Sequence, residues 1–279
     1  MTKTMQPAPH ALWPIYAFDN YFTNAARPYT STERWDLLKA AGYRAGYVGV
    51  NRDNPASRAT LLDAHAQSKR TGLSLAAIYC VLDLTNPQPE GHHSVAEIIE
   101  QLQPGDVLEL GLTVGWKKKV SDPGVDDTAI AQLTPLLALA KTRNVVIALY
   151  HHLGFYLERI EDCVRLAEKI NDPALGVVFC GYHWYAVDRT ELTAKLRLAA
   201  PWLKRANLCG SRPSPNNDFA GALPATIECV GEGEFPLSEF VQALKAIDYR
   251  GPVGFQGYKI EGKPEENLGK SIQAFQKAL

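Results

Sequence analysis

Short apolar runs alternate with helix-like stretches about eight times along this chain, and that alternation limits its fold more than any single motif does. The runs Pro14–Phe18, Ala45–Val50, Ser74–Cys80, Val107–Leu112, Val145–Tyr150, Gly176–Cys180, Arg205–Cys209 and Val253–Gln256 read as short buried strands. Between them apolar residues recur at helical spacing. Thr30, with Glu33 three residues on, makes a capping box that starts the first helix, and Gly42 ends it. Asp162 to Ala167 reads as helix interior. Pro264-Glu265-Glu266 opens the last helix, where proline is tolerated and acids are favoured by the dipole.

Repeated strand–helix units require a parallel sheet covered by helices. Eight of them in 279 residues predict an α/β fold, a single (β/α)8 TIM barrel. A doubly wound open sheet is the alternative. It is disfavoured because no glycine-rich dinucleotide fingerprint follows the first strand. Residues 1–13 read as a flexible N-terminal tail and 14–279 as the barrel, with no internal linker. The stretch Gly210–Gly233, rich in Pro, Asn, Gly and Ser, is expected to loop over the barrel mouth.

A hydrophobic content of 46% is enough for one large core, and 29 basic against 30 acidic residues leave a net charge of -1. This balance argues against a nucleic-acid or anionic-membrane partner. The basic run Lys117–Lys119 reads as a solvated loop. No apolar run has the length needed to span a bilayer, and Met1–His10 lacks the apolar core of a signal peptide. Five scattered cysteines, without a CxxC pair, suggest free thiols in a reducing, cytoplasmic setting.

Active sites of such barrels lie at the carboxyl ends of the strands. The polar residues expected there are Asp19, Asn20, Tyr79, Tyr150, His151, His152, Cys180, His183, Asn207, Cys209 and Gln256. His151 and His152 are adjacent, so one of them is expected to face inward and the other to pack or meet solvent. Tyr150 also reads as a ring that plugs the barrel top, and Cys180 as a small buried hydrophobe.

From about residue 14 onward the chain resembles the xylose isomerase-like (sugar phosphate isomerase/epimerase) barrels. The likeness is carried by Ala148-Leu149-Tyr150-His151-His152, Gly176-Val177-Val178-Phe179-Cys180-Gly181-Tyr182-His183, Val230-Gly231-Glu232-Gly233-Glu234, Asp248-Tyr249-Arg250-Gly251 and the strand ending in Gln256. The resemblance implies four metal-ligand positions, a glutamate, an aspartate, a histidine and a second glutamate. Tyr150, Cys180, Asn207 and Gln256 stand there instead. Tyr47 stands where many members carry a glutamate after the second strand. His152 and His183 match histidines that face the substrate in the family.

A hard divalent ion wants charged oxygen ligands, so the usual metal site is expected to be lost. What the resemblance then implies is a sugar isomerase-, epimerase- or lyase-like enzyme acting on a carbohydrate or keto-sugar by acid–base chemistry. His152, His183 and Tyr150 would be catalytic. Asp19, Asn20, Tyr79, Cys180, Asn207 and Gln256 would line a neutral, aromatic pocket for a polyol. Two alternatives stand beside it. One is a non-catalytic sugar-binding barrel. The other is a zinc-dependent variant with Cys180, His183, Cys209 and His152 as ligands. An abasic-site nuclease is disfavoured by the near-neutral charge. No anion nest stands out, Arg212 being the one cation to watch. A homo-oligomer is the family's habit.

Overall fold

In the computed structural model, residues 13–50, 57–87, 94–214 and 223–279 are described. Eight parallel strands close on themselves: β1 (Ile15–Ala17), β2 (Ala45–Gly49), β3 (Ser74–Asp83), β4 (Val107–Thr113), β5 (Val146–Tyr150), β6 (Leu175–Cys180), β7 (Leu203–Leu208) and β8 (Val253–Phe255). β1 pairs with both β2 and β8, so no edge is left and the open-sheet alternative is excluded. The helices outside are α1 (Ser31–Ala40), α2 (Ser57–Thr71), α3 (Val95–Gln101), α4 (Asp126–Arg143), α5 (Ile160–Ile170), α6 (Gly181–Val187), α7 (Leu192–Ala199), α8 (Leu237–Ala246) and α9 (Pro264–Ala278). None is long and apolar enough to cross a membrane.

Local signals act as expected. The Thr30 hydroxyl accepts from Glu33 N at 3.2 Å, and Glu33 Oε2 accepts from Thr30 N at 2.8 Å, fixing the start of α1. Pro264 occupies the first turn of α9. Strand limits move by a residue or two, and β3 runs three residues past Cys80. Val81, Leu82 and Asp83 find partners in Gly111, Leu112 and Thr113, so the ladder continues. α6 begins directly after β6, with no loop between them. Trp13 is buried, its indole Nε1 donating to Tyr249 O at 2.6 Å; residues 1–12 of the expected tail lie outside the described residues.

The inside of the barrel departs from the aliphatic filling usual for this fold. Tyr16, Phe18, Tyr47 and Tyr79 pack there with Ala45, Ala76 and Ala77. Gly254 makes this possible, because a Cβ on it would stand 2.3 Å from the Tyr16 ring. All five cysteines are free and buried.

Candidate active site

A cavity of about 350 Å³ opens at the carboxyl ends of the strands, within the size range of small-molecule sites. Asp19, Asn20, Tyr79, Tyr150, His152, His183 and Gln256 all line it, as their strand-end positions suggested. Phe18, Tyr47, Gly49, Leu153, Tyr182, Leu223, Ile227 and Tyr258 complete the wall. Leu223 and Ile227 come from the loop after β7, which does reach over the mouth. Residues 215–222 of that loop lie outside the described residues.

The two adjacent histidines divide as the strand geometry requires. His151 is buried; its Nε2 accepts from Cys180 N at 2.8 Å while Nδ1 faces Glu158 O at 3.3 Å. It is a brace between β5 and β6. His152 faces the cavity. Its Nδ1 lies 2.8 Å from Leu153 O, an atom that only accepts, so Nδ1 carries the proton and Nε2 is left as a base nitrogen. His183, on α6, accepts from Leu153 N at its own Nδ1, at 3.3 Å, which places its proton on Nε2. The two rings stand 3.9 Å apart, and His152 also stacks on Phe155 at 4.1 Å. Burial lowers both histidines, His152 to about 4 and His183 well below its usual value, so both are neutral near pH 7.

Asp19 and Asn20 are held by backbone amides. Asp19 Oδ2 accepts from Gly49 N at 3.0 Å, and burial raises its pKa. Asn20 Oδ1 accepts from Gly257 N at 2.9 Å, which leaves its NH2 group as the donor end. The Tyr150 hydroxyl donates to Cys180 Sγ at 3.0 Å, and the thiol donates on to Gln256 Oε1 at 3.9 Å. Burial pushes the Cys180 thiol up to about 12.

Two expected substrate-binding residues are not in the wall. Cys180 and Asn207 are fully buried and take no part in the wall. Among the described residues, neither polar atom of the Asn207 side chain has a partner. Tyr47 lies within β2 rather than after it, and its ring forms part of the wall. Arg212 is not a free cation. Its Nε and Nη2 grip both oxygens of Glu228 at 2.7 and 2.9 Å, an exposed fork in which a carboxylate already matches its charge. Glu109 of β4 escaped notice, although a lone acid in Val107-Leu108-Glu109-Leu110-Gly111-Leu112 marks an inward position by alternation.

A family model, the xylose isomerase-like TIM barrel, matches residues 35–278. The chain belongs to that family. No curated protein matches it in sequence. Solved structures agree on the fold. The D-allulose 3-epimerase of a Methylomonas species, in complex with D-allulose, superimposes with a TM-score of 0.70 at 14% identity, over 96% of this chain and 97% of its own. The 3-keto-D-glucoside 4-epimerase of E. coli gives 0.67 at 15%, over 95% and 97%. The D-psicose 3-epimerase of Clostridium cellulolyticum with D-tagatose gives 0.66 at 13%, over 95% and 96%.

In this member of the xylose isomerase-like barrels, the residues at the family's metal positions do not fit a hard divalent cation. A phenol, a thiol and two amides offer no charge, and the phenol and thiol already bond to each other. The zinc set is not assembled either. Cys209 Sγ is paired with Ser211 Oγ at 3.3 Å, and Cys180 is taken by Tyr150. Both histidines turn Nδ1 to the Leu153 backbone. Among the described residues, no three of His, Cys, Asp and Glu converge as metal ligands.

Proposed function

We propose that this chain is a sugar epimerase or isomerase that moves a proton on a neutral keto-sugar with two uncharged histidines. The observation that carries the reading is the pair of opposite tautomers at His152 and His183. His152 Nε2 takes the proton from the carbon next to the carbonyl and becomes an imidazolium. His183 Nε2–H donates to the carbonyl oxygen as that oxygen gains charge, giving an enediol-like intermediate. Return of the proton to the same carbon, after the enediol has turned its other face to His152, makes an epimer. Return to the former carbonyl carbon makes an isomer, as the first carbon's hydroxyl gives its proton to His183 Nε2, which had passed its own to the carbonyl oxygen. Tyr79, Tyr150 and Tyr258 offer faces to sugar C–H surfaces, and Asp19, Asn20 and Gln256 offer hydrogen bonds to hydroxyls. Family membership and the sugar epimerases with the same fold support the substrate class.

The test is proton NMR of D-allulose, D-fructose, D-tagatose and a 3-keto-glucoside incubated with the protein in D2O. Deuterium should enter at the carbon beside the carbonyl as epimer or isomer forms. Tight binding of these sugars without any exchange would replace this reading with a non-catalytic sugar-binding barrel.

A further inference from the structure

The turn after β5 brings an aromatic ring back over the residue that opens it. Phe155 N donates to His152 O at 2.9 Å, and His152 N donates to Leu157 O at 2.8 Å, so the chain folds tightly on itself here. Gly154 holds the bend in the left-handed region, at φ 77°, and a Cβ on it would stand 2.7 Å from the Trp116 ring. The result is that the Phe155 ring lies against the His152 imidazole, with centroids 4.1 Å apart and planes 23° from parallel.

The Phe155 ring is itself held from two sides. Gly111, two residues beyond Glu109 on β4, leaves it room, since a Cβ there would meet Phe155 Cε2 at 3.1 Å. Trp116 stands edge-on to it, with centroids 6.4 Å apart at 88°, and edge-on to His152 at 6.3 Å and 72°. His183 lies 3.9 Å from His152. Among the described residues Phe155 and His183 make no ring contact with each other, so they cover opposite faces of the imidazole. One hydrogen bond, from Nδ1 to Leu153 O, sets which nitrogen carries the proton. The torsion about the Cβ–Cγ bond of a histidine is broad and two-fold. A half turn about it would carry Nδ1 away from that carbonyl. To make the turn, the ring must sweep through the space on both of its faces. Packed carbons sit about 3.5–4.0 Å apart, and neighbours at 3.9 and 4.1 Å leave no such space.

We propose that Phe155 is a positioning residue for His152: its ring, seated in the hollow at Gly111 and backed by Trp116, keeps the imidazole from turning and so keeps Nε2 as the unprotonated nitrogen. His183 covers the other face but also lines the cavity. Phe155 does not line it, and so acts through His152 alone. The consequence for turnover rests on the epimerase reading; the locking of the ring does not.

The experiment is nitrogen NMR of the His152 side chain in isotope-labelled protein at neutral pH, for the wild type, Phe155→Ala, Phe155→Leu and Phe155→Tyr. Wild type should show a pyrrole-like Nδ1 and a pyridine-like Nε2, well separated in shift. Phe155→Ala frees one face, so both tautomers should populate and the two shifts should draw together. Phe155→Leu keeps apolar volume without a flat face and should behave alike, so it decides if Phe155→Ala does not fold. Phe155→Tyr restores the face and should restore the separation. Wild-type shifts in folded Phe155→Ala or Phe155→Leu would overturn the proposal, and so would a collapsed separation in Phe155→Tyr. Where a ketose is turned over, kcat should fall on the order of tenfold to a hundredfold in Phe155→Ala while KM stays near the wild-type value, because orientation is lost and substrate contact is not. A raised KM with kcat unchanged would also overturn it. If no ketose is turned over, the epimerase reading fails while the nitrogen shifts still decide Phe155.

Discussion

His152 and His183 stand with ring centroids 3.9 Å apart and carry their protons on opposite nitrogens, because the backbone of one residue, Leu153, serves both. The Leu153 carbonyl accepts from His152 Nδ1, and the same residue's N–H donates to His183 Nδ1. A base nitrogen and a proton donor are thereby presented side by side without any net charge. The arrangement predicts a large loss for His152→Ala. General acid–base catalysis contributes on the order of a hundredfold to ten-thousandfold, so the exchange rate into a ketose in D2O should drop by at least about a hundredfold with circular dichroism unchanged. Unaltered exchange would remove His152 from the chemistry.

Acid should damage this protein before neutral or mildly alkaline pH does. Burial lowers His151 and His152 from 6.5 to about 4, and His183 well below its usual value. A depressed folded-state pKa gives stability that is complete above about 6.5 and is lost as pH falls toward the folded value. Three such residues lie within one loop and one helix start. The thermal midpoint should therefore decline steeply between pH 6.5 and 4. The decline should be shallower in His151→Gln, which keeps side-chain hydrogen bonding and cannot titrate. Turnover should fall in the same direction, as His152 Nε2 takes up a proton. A midpoint flat from pH 7 to 4.5 would contradict the placement of all three rings.

The neutral donor set at the family's metal positions predicts indifference to chelation. Prolonged EDTA treatment should leave both the thermal midpoint and any ketose exchange unchanged, and elemental analysis should find no stoichiometric magnesium, manganese or zinc. Gln256→Glu alone should not create a metal site, since Tyr150, Cys180 and Asn207 remain. It should instead lower stability by about 1–3 kcal/mol, the cost of leaving a mostly buried polar group poorly paired. A stoichiometric metal in the wild-type protein would reverse this assignment.

The sequence made the barrel readable because two periods, one apolar run for each strand and one amphipathic stretch for each helix, survive in every unit. Capping at Thr30 and Pro264 marks helix starts for the same local reason. Depth was not readable. Cys180 ends its strand as Tyr150 does, yet Cys180 and Asn207 are fully buried outside the wall while Tyr150 and Gln256 are part of it. Tautomers were not readable either, since they depend on which Leu153 atom each ring meets. Arg212 looked free because Glu228, its partner, lies sixteen residues away and is brought back by the antiparallel bridge between Gly210 and Glu228. Glu109 was within reach of the alternation argument, but only the structure shows that it lacks an ion pair.

The loop that carries His152 depends on a buried carboxylate beneath it. Asp126 accepts from the Tyr156 hydroxyl, from Arg165 Nε at 3.0 Å and from Lys169 at 2.8 Å, and it is 1% exposed. Tyr156 in turn accepts from Ser121 N at its carbonyl, and Leu157 beside it accepts from His152 N at 2.8 Å. Asp126→Ala removes the acceptor and leaves the Tyr156 hydroxyl and Arg165 without it. Breaking a buried charged pair costs about 3–5 kcal/mol, and the half-exposed state of Lys169 and the partly open Arg165 point to the lower end, about 3 kcal/mol. Urea unfolding should show that loss as a lower midpoint at an unchanged slope. Ketose exchange should weaken in the same variant under conditions where it is still folded, because the turn that orients His152 is loosened. A loss below about 0.5 kcal/mol would mean that the network is solvated and leaves the loop that carries His152 unsupported.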